Sequence, residues 1–260
     1  MKQWSRGAVL GGIVALCIGL SAQPATAASL LKEGFAFPVD RPTKIAVLRP
    51  DVSVGTLRSA GEDEANAEWT EVARQNITEE MKTQASAQGL ALDFLGDMKG
   101  ADGELLDQYR SLFKVVSGAI ARHGFFDHLP TKLEPKNPAV PSKRWRMDWS
   151  LGPGAAQLRA LTGADYALLL YTHDAYGSSG RKAAVIFAAM WGVAAPFGVH
   201  EGYAGLVDLT SGDLVWFNTD PAIGGDPREK LGAAQRVREL MAGFPGSKPA
   251  SQPAPSAPAR

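Results

Sequence analysis

Thiol chemistry is nearly absent from this chain. Its one cysteine, Cys17, sits in an amino-terminal stretch that reads as a transport leader: Lys2 and Arg6 are basic, Ala8 to Leu20 is apolar, and Ala25-Thr26-Ala27 has the small-x-small pattern of a cleavage site. The apolar core of 13 residues is too short to span a bilayer. Residues 1–27 are therefore expected to be a signal peptide, with the mature chain exported to the periplasm and outer-membrane association left open. Leu16 stands where a lipid-attachment box takes Gly, Ala or Ser, so acylation of Cys17 is not expected. Once Cys17 is removed, disulfides, cysteine nucleophiles and thiolate metal sites are excluded.

An excess of charge of one sign is missing too. Removing Lys2 and Arg6 leaves 25 of the 27 basic residues against 27 acidic ones, a net charge of −2. Nothing in that balance favours nucleic acid. Histidine is scarce: His123, His128, His173 and His200 include no i,i+4 pair and no H-E-x-x-H, so neither a metal nor a cofactor is expected. No long hydrophobic run follows the leader. The longest uncharged stretch, Ala183–Val199, has 17 residues and is interrupted by Gly192 and Pro196, short of the roughly 20 that a spanning helix needs.

What is present is organised around Ala164 to Asn218. Ala164–His173 reads as a strand apolar on both faces, which belongs inside a covered sheet. Tyr203–Leu209 and Leu214–Asn218, joined through Thr210-Ser-Gly-Asp213, read as a hairpin. Ahead of them, 28–43 is a surface lead-in, Lys44–Leu48 a strand, and Asp51–Asp63 a loop. A helix over 64–88 carries an apolar stripe of Trp69, Ala73, Ile77, Met81 and Ala85, and Gly89 stops it. Leu90–Leu95 is a short strand. The spacing of Leu105, Tyr109, Leu112, Val116, Ala119 and His123 predicts the buried side of a second helix over 104–122. Proline-rich 126–149 is irregular, Ser150–Gly163 holds a third helix, and a last helix starts near Asp226-Pro227. Five prolines in 245–260 make a disordered tail. This order implies an α/β fold: one domain over 44–244, a layered mixed sheet with helices packed on it, a C-terminal β-hairpin, and an apolar insert over 177–202 before the hairpin.

The strand Lys44-Ile-Ala-Val-Leu-Arg-Pro50, the segment Gly163-Ala-Asp-Tyr-Ala-Leu-Leu-Leu170 and the hairpin Gly205–Trp216 carry a likeness. Across about Lys44 to Asn218 the chain resembles the envelope proteins grouped around the curli-secretion lipoprotein, the penicillin-binding-protein activators and the amino-terminal domain of the Tol translocation protein. Arg49-Pro-Asp-Val52, Ala67–Arg74, Gly180-Arg-Lys182, Asp208–Asn218 and Gly225-Asp-Pro-Arg228 resemble a family of uncharacterised proteobacterial exported proteins with no assigned reaction. The likeness implies an envelope protein. It does not carry channel formation, because the insert here is apolar and reads as helical rather than as membrane-crossing strands.

Candidate chemistry is sparse. His173-Asp174 ends the core strand, where open α/β sheets place ligands, and with Asp51 could line one rim; an ordinary strand-end histidine is the competing account. Gly177-Ser-Ser-Gly-Arg181-Lys182 lacks the spacing of a phosphate-binding loop and reads as a hinge. Asn76-Ile-Thr78 matches a glycosylation sequon but falls within a helix, and Lys143-Arg144-Trp145-Arg146 reads as an ordinary surface loop. Phe187, Met190, Trp191 and Phe197 in the insert could form an exposed apolar patch, the mark of an interface. The leading expectation is a non-enzymatic interaction or assembly module of the cell envelope, its partner another envelope protein or a second copy. The alternatives are a small hydrolase or ligand-binding enzyme near His173 and Asp174, and a membrane-associated oligomer using the insert.

Overall fold

Strand β6, Tyr166–Gly177, is the spine of the molecule. A computed structural model describes residues 28–125, 147–220 and 223–247. Residues 1–27 with Cys17, His128, Lys143–Arg146 and the residues beyond 247 lie outside the described residues.

The strands are β1 (Ala28–Leu31), β2 (Ile45–Val47), β3 (Asp51–Leu57), β4 (Asp63–Ala65), β5 (Leu92–Phe94), β6, β7 (Val199–Asp208) and β8 (Leu214–Thr219). The helices are α1 (Ala67–Gln88), α2 (Gly100–Phe125), α3 (Ala156–Thr162), α4 (Ser179–Met190) and α5 (Lys230–Leu240). One mixed sheet runs β1-β8-β7-β6-β2-β5, with β3 also on β6 and β4 paired to β3. Parallel β2 and β3 lie end to end along β6: Ile45 faces Tyr166, whereas Asp51 faces Tyr171. The partner offset thus falls from 121 to 120, one extra residue accommodated around Pro50, which has no N–H to give a ladder.

The alternation along β6 builds two cores. Tyr166, Leu168 and Leu170 face α1 and α5, against Ile77, Met81, Val237 and Leu240. Ala167, Leu169 and Tyr171 face α2 and α3, against Phe113, Ile120 and Leu158. The expected mixed α/β sheet with packed helices is therefore the observed fold.

Several local expectations change. Residues 51–63, expected as a loop, hold β3 and the first residue of β4; Val52 and Val54 alternate into the α1 core as strand residues do. The lead-in is structured. It contributes β1, antiparallel to β8, with Trp216 Nε1 donating to Ser29 Oγ at 2.9 Å. Phe35 and Phe37 then pack edge-on against Tyr166 at 5.7 and 5.4 Å. Helix α1 buries the predicted Ala73, Ile77, Met81 and Ala85, and Gly89 closes it in the left-handed region. Helix α2 is rotated from expectation: Leu106, Tyr109, Phe113, Ser117 and Ile120 are buried, while Leu112 is exposed. The cause is Gly205 on β7, where an added Cβ would lie 2.5 Å from the Phe113 ring. That ring occupies the notch a side chain would fill. The last helix starts at Lys230, and the segment before it is a turn in which Glu229 N–H donates to Asp226 O.

Leu168→Ala on the spine should cost about 2–5 kcal/mol, because it opens a cavity where helix and sheet cannot both close in. Chemical denaturation of the variant checks this; a loss under about 1 kcal/mol would show that β6 does not hold the core.

Candidate functional site

At one end of the sheet, β6 and β7 stay paired to Ala175 and Val199, and residues 178–198 rise from their tips. The insert is shorter than expected, since β6 extends to Gly177 and β7 begins at Val199. Its glycines are not free hinges. A Cβ on Gly177 would meet the Phe197 carbonyl at 2.1 Å, and one on Gly198 the Ala175 carbonyl at 2.6 Å, so these positions allow two backbones to press together.

Ser178 caps α4 by accepting from Arg181 N–H at 3.1 Å. The Arg181 guanidinium donates to the Pro196 carbonyl at 3.3 and 3.1 Å, fastening the return segment back against the helix. No phosphate cradle results: Arg181 is spent on a carbonyl, and Lys182 is exposed. Only Val185 of α4 is buried. Phe187, Met190, Trp191 and Phe197 are 63, 77, 76 and 53% exposed, joined by Ile186 and Val193. Residues 178–198 thus form a knob with an apolar outer surface, Phe187 and Trp191 lying 6.5 Å apart by ring centroid.

Beneath the knob lies a buried polar node. Asp174 takes the Arg236 guanidinium in a two-pronged grip, with Nη2 at 2.9 Å from Oδ1 and Nη1 at 2.5 Å from Oδ2. Arg236 Nη1 also donates to Thr172 Oγ1 at 2.6 Å, and its remaining donors reach the carbonyls of Gly224 and Gly225. His200 Nδ1 lies 2.6 Å from Asp174 Oδ1. Against a carboxylate already held by a guanidinium, Nδ1 is the donor. Both charges are out of water, which is tolerable only because every donor of the guanidinium is matched.

A second lock lies alongside. Arg228 is sandwiched between the Trp69 and Tyr176 rings at 4.5 and 4.2 Å and bonds Asp226 through Nε and Nη2. The Arg228 guanidinium holds the Asp226 carboxyl down at about 2, with the Tyr176 hydroxyl donating to the same carboxylate. Asn76 of the sequon gives its side-chain N–H groups to the carbonyls of Pro227 and Arg228, tying α1 to this turn. Burial and the Asp174 charge push the Tyr176 phenol up.

Asp51, His173 and Asp174 do not converge. Asp174 faces α5, whereas His173 lies on the other face of β6, its Nε2 3.1 Å from Asp63 Oδ2. Asp51 stands beside Tyr171, two pairs further down the ladder. On that second face the Tyr171 and Tyr203 hydroxyls both donate to Glu201, at 3.3 and 3.1 Å, and burial pushes both phenols up. His200, not His173, lines a shallow groove of about 390 Å³ with Arg122, Glu201 and Tyr203. Among the described residues no serine, threonine or cysteine side chain bonds His200 Nε2, and no cluster of three His, Cys, Asp or Glu is placed to hold a metal. The reading of residue types missed Arg236 and His200. Arg236 did leave a signal: Ala233, Arg236, Val237 and Leu240 fall at i, i+3, i+4 and i+7, a cation within an apolar stripe.

Fold and site define a mixed α/β sheet protein with a buried ion pair at the base of an exposed apolar knob. No protein-family model and no curated protein matches the chain. Among solved structures, it is similar to the PelC dodecamer from Paraburkholderia phytofirmans, at 12% identity over 84% of this chain and 97% of that one, with a TM-score of 0.34. It is also similar to lipoprotein GNA1162 from Neisseria meningitidis, at 14% identity over 68% and 80%, with a TM-score of 0.27. At TM-scores below 0.5 neither likeness bears on function.

Arg236→Met strands a buried carboxylate and should destabilise the protein by roughly 3–5 kcal/mol, while adding Asp174→Leu should recover much of that loss. Urea unfolding of the single and double variants measures both, and a double variant no more stable than the single would contradict the pairing. The Asp226 carboxylate, depressed from 3.8, contributes its stability in full above that value and loses it as pH falls toward about 2. Asp226→Asn should therefore be less stable at neutral pH and lose part of the acid-induced fall between about pH 4 and 2, as followed by unfolding at stepped pH.

Proposed function

We propose that the chain is a non-enzymatic protein of the cell envelope, acting in the periplasm as an interaction or assembly module whose contact surface is the knob of residues 178–198. The observation that carries this reading is the exposed face of α4 and its return segment, where Ile186, Phe187, Met190, Trp191, Val193 and Phe197 stand in solvent on one protruding element. Apolar surface gathered in one place, rather than scattered, marks a contact region. The node below gives it a rigid base: Asp174 joins β6, β7 through His200, and α5 through Arg236. The separation of Asp174, on the α5 face of β6, from His173 and Asp51 on the opposite face supports the non-enzymatic side of the reading. Three occupants suit such a surface: another envelope protein, a second copy of the chain, and a lipid surface.

Phe187→Asp and Trp191→Asp should abolish association or membrane recovery while the monomer stays folded, because a charge at the centre of a desolvated contact is costly. Circular dichroism with a size measurement on both variants checks it. Unfolded variants would mean that the segment is scaffold.

A further inference from the structure

We infer that the knob's occupant is an anionic lipid surface, with α4 lying along the bilayer and Phe187, Trp191 and Phe197 in the headgroup region. This rests on residues 178–198 being a contact surface.

The composition fits that occupant. The segment contains Arg181 and Lys182 but no acid, so its charge complements an anionic surface. Its exposed side chains are apolar and aromatic, and aromatic side chains with flanking cations favour the boundary between headgroups and acyl chains. On the neighbouring β3–β4 hairpin Arg58 pairs with Glu64, and Asp63 Oδ2 lies 3.1 Å from His173 Nε2. A protein partner would have to supply both an apolar groove and acids to meet Arg181 and Lys182. An anionic bilayer offers both in one surface.

The end of the helix fits as well, since apolar surroundings leave no water to bond free N–H groups. Where α4 ends, Trp191 and Val193 donate to the Ala188 carbonyl and Gly192 to that of Ala189, all at 3.0 Å, and Arg181 covers the Pro196 carbonyl. The helix is too short to cross. Its 12 residues reach about 18 Å at 1.5 Å per residue, against a hydrocarbon core of about 30 Å. No helix among the described residues is long and apolar enough to span a membrane. The knob must lie in the interface.

The test is flotation of the full chain, as isolated, with vesicles of phosphatidylcholine alone and with phosphatidylglycerol admixed. Binding is expected to the anionic vesicles and several-fold less to the neutral ones. Lys182→Gln should erase most of that difference, a cation near the surface contributing roughly fivefold. Phe187→Ala/Trp191→Ala should lose binding to both vesicles with an unchanged circular dichroism spectrum. Whatever precedes Ala28 is the same in every variant, so these losses report on the knob alone. Quenching by lipids brominated in the acyl chain should fall in Trp191→Phe. Binding that survives Phe187→Ala/Trp191→Ala overturns the proposal. A folded chain that binds neither vesicle, yet self-associates or holds a protein through Phe187 and Trp191, overturns it too while leaving the contact-surface reading standing. Unfolding of the aspartate variants would instead overturn the contact-surface reading itself.

Discussion

A strand with no polar face can exist only if both of its sides are covered, and the rest of this molecule follows from that constraint on β6. Leu168 and Leu170 demand one helical layer, Leu169 and Tyr171 another. Helices α1 and α5 answer the first demand; α2 and α3 answer the second. Strand β6 is also the longest of the sheet, and it is hydrogen-bonded to β2, β3 and β7. The buried ion pair and the exposed knob both sit at the end where it outruns its apolar cover.

There the side chains become polar while burial continues. Asp174 lies in the α5 layer, in line with Leu168 and Leu170, but it carries a charge. The fold meets it with Arg236 from α5, Thr172 from its own strand and His200 from β7. Taking an ion pair out of water gains little net stability by itself. What it adds here is geometry, since the carboxylate ties the last turns of two strands to one helix at the base of the knob. The neighbouring Arg228, between Trp69 and Tyr176, does the same for the turn that leads into α5. A soft apolar surface is thereby mounted on a stiff support.

The two parts differed in how far residue types could reveal them. The knob was legible: a 17-residue uncharged run containing Phe187, Trp191 and Phe197 is visible without coordinates, though its exposure is not. The node was hidden. Its members are 172, 174, 200 and 236, and no spacing rule connects residues brought together by antiparallel pairing and helix docking. His173 drew notice because it stands next to Asp174, yet adjacent residues of a strand point to opposite faces and cannot share a site. The buried side of α2 was misread by one position because Phe113 settles over Gly205, and a notch in a distant strand leaves no trace in the helix's own periodicity. Likewise Asp51 and Gly55 disguised β3 as a loop, although Val52 and Val54 kept its alternation.

Residue order alone determined the α/β class, the two-faced core strand, the hairpin after it, the helix stop at Gly89 and the apolar character of residues 183–199. All of these rest on local periodicity, which a backbone of fixed pitch converts directly into faces. Only the tertiary structure decided which histidine meets Asp174, that Arg236 is buried, and that α4 is covered on little more than Val185. Those outcomes depend on contacts between segments far apart in the chain, and such contacts are set by how whole layers pack rather than by any neighbour in sequence.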